Sequence, residues 1–213
     1  MMPWALLGIF IFCLILSYII VQGTRAALAW RKAAEAGDVK VIRDIAADAL
    51  TAWRSIRRPK TTSPEVWRGI QSMQLIDAAA GYLRVTCQAQ SEYKLTEGRW
   101  LEVRNSLQDA TAIAAKAAEM LFYDVPYFRP DEIQVDVYTS FREGEGQTSN
   151  TCILSLHASR ETARQVDWDE WTAEEIVDAL GARYRLGERG QPLPLDVEPP
   201  VEAEMPDAGA VPS

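Results

Sequence analysis

Residues 82–95, YLRVTCQAQSEYKL, carry the pattern that decides the fold. Leu83, Val85, Cys87, Ala89, Tyr93 and Leu95 alternate with Arg84, Thr86, Gln88, Gln90, Glu92 and Lys94, and only Ser91 weakens the apolar row. Side chains of a strand point to its two faces in turn, so this period predicts one long strand with one buried and one wet face, as in an antiparallel sheet. Residues 70–76 read as its partner strand, joined through DAAAG at 77–81, and Glu97-Gly98 turns the chain into a further strand over 99–104. A second hairpin follows. Ile133, Val135, Val137 and Phe141 alternate up one arm, REGEGQTS (142–149) is its loop, and TCILSLH (151–157) returns.

Between the two hairpins the period changes. Leu107, Ala110, Ala114, Ala117, Ala118 and Leu121 fall on one face of a helix over 106–123, and the alanines permit close docking on a sheet. Pro126 and Pro130 close this stretch. Upstream, Gly37 breaks one helix and Asp38 caps the next, VKVIRDIAADALTAWRSIRR (39–58), whose Ile42, Ile45, Ala46, Ala49, Trp53 and Ile56 form an amphipathic stripe. Pro59 ends it, and PKTTSPE (59–65) is a linker. The last helix starts at Thr172, where Thr172 and Glu175 form a capping box, and runs to about Leu186. From Gly187 the chain is rich in proline and acid, with no basic residue after Arg189, a composition expected to stay disordered.

The N-terminus is of another kind. Residues 3–22, PWALLGIFIFCLILSYIIVQ, hold no charge, and about twenty helical residues span roughly the 30 Å of a bilayer's hydrocarbon core. A cleaved signal peptide is the alternative, with a small-residue site at Ala27-Leu28-Ala29. Such a peptide has a basic start and an apolar run of only about 7–15 residues, so an anchor is preferred. Arg25, Arg31, Lys32 and Lys40 follow the segment and nothing basic precedes it, which puts the C-terminal side in the cytoplasm, at a cell inner membrane or plasma membrane. The expected organisation is an anchor at 1–23, juxtamembrane helices at 24–60, an α+β domain at 61–186 with an antiparallel sheet of about five strands and a packed helix, and an acidic tail at 187–213.

The formal net charge of -8 argues against nucleic acid as a partner, since phosphate binding needs a basic surface. The motifs of phosphate loops, dinucleotide folds, zinc hydrolases, serine hydrolases and calcium loops are missing from the sequence, and no cofactor is implied. Ser91 and Lys94 match a Ser-x-x-Lys spacing, but on a strand they point to opposite faces. Asp77 with Glu92 and Lys94 mimics a nuclease metal site, yet a hairpin over 70–95 holds the two carboxylates roughly 33 Å apart. His157 is the only histidine and shows no positioned partner. The acids Asp167, Asp169, Glu170, Glu174, Glu175 and Asp178 suit a helix start, where the dipole favours them. Three cysteines without CxxC spacing are not a disulfide framework; Cys87 and Cys152 read as buried thiols, with a bridge between them left open.

Two groups of contact candidates stand out. Arg54, Arg57, Arg58 and Lys60 form a basic cluster fit either for anionic membrane lipid or for a solvated helix end. Trp168 and Trp171, set among acids, suit either a protein partner or the domain's own core. If the domain holds a ligand, Arg84, Gln88, Tyr138 and His157 are the side chains that would converge on it.

The stretch AAEAGDVKVIRDIAADAL (33–50), a tryptophan on the same helix, and GIQSMQLIDAAAGYLRVTCQAQ (69–90) resemble Tim44-like domains of the nuclear-transport-factor-2-like group. The resemblance covers about residues 33–104. It implies a conical α+β fold with a concave sheet, used for binding or tethering more often than for catalysis. The helix at 106–123 departs from that pattern, which places further strands there. The expectation is therefore a membrane-tethered binding or scaffold domain with a protein partner. A ligand-binding or enzymatic domain, and an accessory subunit of a membrane complex, are the competing classes.

Overall fold

The computed structural model describes residues 3–90, 92–96, 99–104, 106–143, 147–188 and 190–197. Helix α1 (Pro3–Glu35) runs unbroken for 33 residues. It is long and apolar enough to cross a membrane, and Ile9, Phe10, Phe12, Ile19 and Ile20 all lie uncovered by protein. Gly37 ends it in the left-handed region at φ 79°, with the Gly37 N–H donating to Ala34 O and the Asp38 N–H to Ala33 O. Asp38 then caps α2 (Val39–Ser55), its carboxylate accepting from the N–H groups of Lys40 and Val41. The stripe on α2 is buried from Ile42 to Trp53. The helix stops at Ser55 and not at Arg58: Ile56 is already extended, and a residue before Pro59 is disfavoured in the helical region.

A helix starts within the expected linker. Ser63 caps α3 (Pro64–Gln71), Pro64 occupies its first turn, and Val66, Trp67 and Ile70 are buried at helical spacing. Residues 70 and 71 are thus helical, and strand β1 (Gln74–Ala79) begins later than its apolar content suggests. Ala80-Gly81, with Gly81 at φ 75°, turns β1 into β2 (Tyr82–Gln88). The long strand expected over 82–95 is two strands. β3 (Glu92–Thr96) pairs with β4 (Arg99–Arg104) in a separate two-stranded sheet. Ser91 and the turn at Glu97-Gly98 lie outside the described residues, as do positions 144–146 of the second hairpin's loop.

Helix α4 (Ser106–Tyr123) is where its alanine face predicts it, and Ala110, Ala114, Ala117, Ala118 and Leu121 are fully buried. It crosses the sheet between β2 and β5 (Glu132–Glu143), so β5 lies beside β2 and parallel to it, from Tyr82 opposite Glu132 to Gln88 opposite Tyr138. A strand–helix–strand crossover gives parallel neighbours; a purely antiparallel sheet is therefore excluded by α4 itself. β6 (Gln147–Ser159) returns antiparallel to β5 along its whole length. The short α5 (Arg160–Ala163) and α6 (Ala173–Ala179) follow. The capping box at Thr172 and Glu175 is formed, but α6 ends at Gly181, φ 74°, well before Leu186, and residues 183–186 form strand β7 (Arg183–Leu186). β8 (Pro192–Leu193) pairs with β7, and the Leu195 N–H donates to Cys152 O at 2.9 Å, so residues 190–197 fold back on the domain rather than opening the expected tail. Residues 198–213 lie outside the described residues.

The protein is α+β, with a six-stranded, mostly antiparallel sheet in the order β1-β2-β5-β6-β7-β8. One core joins α2, α3, α4 and α6 to Leu83, Val85, Cys87, Ile133, Val135, Val137, Leu154 and Leu156 of the sheet. Gly69 of α3 is the tightest point: a Cβ there would lie 2.3 Å from Ile113 Cδ1 of α4 and 3.2 Å from the Gln88 carbonyl oxygen. Gly69→Ala is expected to lower stability by about 1–3 kcal/mol through overpacking, read as an earlier midpoint in chemical denaturation of the full-length protein in detergent.

Candidate functional site

The residues between the core positions of β2, β5 and β6 make a connected polar face. Asp136 is its centre and is fully buried. Its Oδ2 accepts from Arg84 Nε at 2.9 Å and its Oδ1 from Ser155 Oγ at 2.7 Å, while Gln134 Nε2 donates to both oxygens at 3.0 and 3.1 Å. The Tyr82 hydroxyl donates to Gln134 Oε1 at 3.0 Å. Tyr82 also meets the His157 ring edge-on, with centroids 6.3 Å apart, and His157 Nε2 lies 3.4 Å from Glu132 Oε2. Register explains the assembly. Parallel pairing sets Arg84 beside Gln134 and Thr86 beside Asp136, and antiparallel pairing sets Asp136 beside Ser155 and Gln134 beside His157.

Electrostatics follow from burial. Desolvation works against the charge on Arg84, but its hydrogen bond to Asp136 and the carboxylate's charge prevail and raise its pKa above the ordinary value. Burial raises the Tyr82 and Tyr138 hydroxyls above theirs. Asp136 takes four hydrogen bonds from three donors, so both of its oxygens are occupied. The arrangement holds the side chains of Arg84, Gln134 and Ser155 in fixed positions around Asp136. Among the described residues, no three side chains of His, Cys, Asp or Glu gather as a metal site needs.

Of the four ligand candidates, Arg84 belongs to this network, Tyr138 lies near enough to Arg84 for their charges to interact, and His157 sits toward the exposed end with Glu132. Gln88 is opposite Tyr138 in register, but its N–H is bound to Ser72 Oγ at 2.9 Å and it borders a separate cleft of about 50 Å³ with Arg68, Ser72 and Asp109. Sequence reasoning missed Asp136, Gln134, Ser155 and Tyr82. The signal was present in the polar positions that alternate with Ile133, Val135 and Val137, and needed only the β2–β5 register to be read.

The contact candidates divide in the same way. Arg54 donates to Met73 O at 2.6 Å and ties α2 to the start of β1, whereas Arg57 and Arg58 sit exposed beyond the end of α2. Trp168 docks on the domain, its indole N–H donating to Ala163 O at 3.1 Å and its ring meeting Tyr123 edge-on. Trp171 is 40% exposed. Cys87 and Cys152 are both buried and unbridged, which closes the alternative of a disulfide, and burial pushes each thiol up to about 12. Neither a protein family, nor a characterised protein, nor a solved structure matched the chain.

Two outcomes are expected. Arg84→Leu leaves the Asp136 charge without its cation and should cost about 3–5 kcal/mol in chemical denaturation, whereas Arg84→Leu combined with Asp136→Leu should recover most of that loss. Cys87 and Cys152 should resist a thiol reagent at neutral pH until the domain unfolds. Because the folded thiols ionise only near 12 and unfolded ones near the ordinary 9.0, they contribute no pH dependence below that lower value and lose stability as pH rises through it.

Proposed function

We propose that this chain is a membrane-tethered binding domain, held by α1 at the cytoplasmic face of a cell inner or plasma membrane, whose polar sheet face docks a protein partner. The observation that carries this reading is the Asp136 network. A fully satisfied buried carboxylate fixes Arg84, Gln134 and Tyr82 as a rigid polar platform with His157 and Tyr138 beside it. Preorganised side chains lower the ordering cost of association.

Three further points support it. The basic residues that follow the apolar segment favour a cytoplasmic domain. Arg57 and Arg58 lie at the end of α2 that returns toward the membrane side of α1, where anionic headgroups attract them. The likeness of residues 33–104 to Tim44-like domains implies tethering. The ligand-carrier reading is less favoured, because Arg84 is committed to Asp136 and His157 to the Glu132 edge. Membership of a larger membrane complex is a form of the same proposal, with Trp171 as an exposed anchor.

The test is affinity purification of the full-length chain from its native host in mild detergent, with quantitative mass spectrometry. The wild type is set against Tyr138→Ala/His157→Glu on the sheet face and Lys116→Ala/Glu119→Ala on the helical side. One stoichiometric protein kept by the wild type and the helical-side variant, and lost by the sheet-face variant, is expected. No enriched protein, or one retained by all three, would sink the proposal.

A further inference from the structure

α2 folds back along the last part of α1, and the two helices diverge enough to leave a groove of about 510 Å³ between them. Gly23, Ala26, Ala27 and Trp30 of α1 line one wall, and Ala49, Ala52, Trp53 and Ile56 of α2 line the other. Residues 124–127 close it with Asp124, Pro126 and Tyr127. Three features bear on what it holds. The first is its height. The groove begins at Gly23, where the uncharged run ends, and residues 23–30 climb about 10 Å of helix, comparable to the headgroup layer of one leaflet.

The second feature is charge. Asp48 and Asp124 both line this mostly apolar groove, and neither carboxylate has a protein partner among the described residues. The two acids lie beside Trp30, Trp53 and Tyr127, and acids combined with aromatic faces attract an ammonium group. The third is the closing loop. Tyr127 is the only described non-glycine residue with positive φ, at 61°, and the residue is 52% exposed. A bulky residue kept in that region marks a position held there by its surroundings and often used.

We infer that this groove is a site for the ammonium-bearing headgroup of a zwitterionic phospholipid, with the acyl chains passing down the apolar face of α1 and the headgroup between Trp30 and the carboxylates of Asp48 and Asp124. The site rests on the membrane tether proposed above and is independent of the sheet face. A second copy of the chain is the rival occupant, since alanines on both walls would also admit a helix. Charge decides against it: a second copy packed symmetrically on this groove would set its own Asp48 and Asp124 against these acids.

The experiment reconstitutes the full-length chain into nanodiscs containing equal phosphatidylethanolamine and phosphatidylglycerol and reads the lipids retained by native mass spectrometry. The wild type should retain phosphatidylethanolamine in preference to phosphatidylglycerol. Asp48→Asn/Asp124→Asn should reduce that preference at least about fivefold, as loss of charge at a membrane surface implies, with the circular dichroism of the domain unchanged. Lys116→Ala, outside the groove's lining, should keep it. Equal retention of the two lipids by the wild type overturns the site while leaving the tether standing, as does a preference that survives in the double variant. Two chains per disc with no retained lipid would assign the groove to a second copy. Failure of the wild type to enter nanodiscs would overturn the tether and the site together.

Discussion

The rest of the domain depends on the docking of α4 against β2, β5 and β6. The helix lies in the middle of the molecule, with the sheet on one side and α3 and α6 on others, and its alanines let backbone approach backbone. Close packing of this kind has little tolerance, because interiors are filled to crystal-like density and a single added methyl must displace its neighbours. Gly69 shows the limit. α3 reaches α4 and the end of β2 at a point where a Cβ would collide with Ile113.

The same helix sets the topology. By carrying the chain across the sheet it makes β5 parallel to β2, and that register brings Arg84, Gln134 and Asp136 together while Leu83, Val85, Ile133 and Val135 fill the core side. The polar network and the core are thus two consequences of one pairing. Burying Asp136 is costly without partners, so Arg84, Gln134 and Ser155 form a set in which each donor matters to the others. Arg160 has a comparable role at the domain's edge. It donates to Pro130 O and Phe122 O and lies over the Phe122 ring, joining the end of β6 to the end of α4.

The junction between α1 and the domain is built differently. Ala34 reaches the core, the reversal at Gly37 sends α2 back along α1, and between them stays a groove where aromatic rings and two carboxylates face outward. The domain is joined to its apolar helix by a tight turn over residues 36–38 and a buried contact at Ala34. The contrast with a long flexible linker is physical: here the orientation of the domain is coupled to that of α1.

Several elements were legible in the residues alone because local chemistry sets them. The uncharged run of residues 3–22, the Gly37 stop, the Asp38 cap, the capping box at Thr172 and the alanine face of α4 each arise within a few residues of one another. The alternation over 82–88 and 133–137 likewise named the inward row correctly. What the tertiary structure decided was non-local. Residues 70 and 71 carry apolar content that suits a strand or a helix, and docking of α3 on α4 settled it. The alternation continues past Gln88, yet β3 leaves the main sheet to pair with β4. Residues 190–197 look unable to fold from composition, but β7 and Cys152 offer them backbone partners. Above all, Asp136 is one acid among thirty Asp and Glu residues until β2 and β5 pair, because a hydrogen-bond network between strands separated by some fifty residues has no signature in either strand by itself.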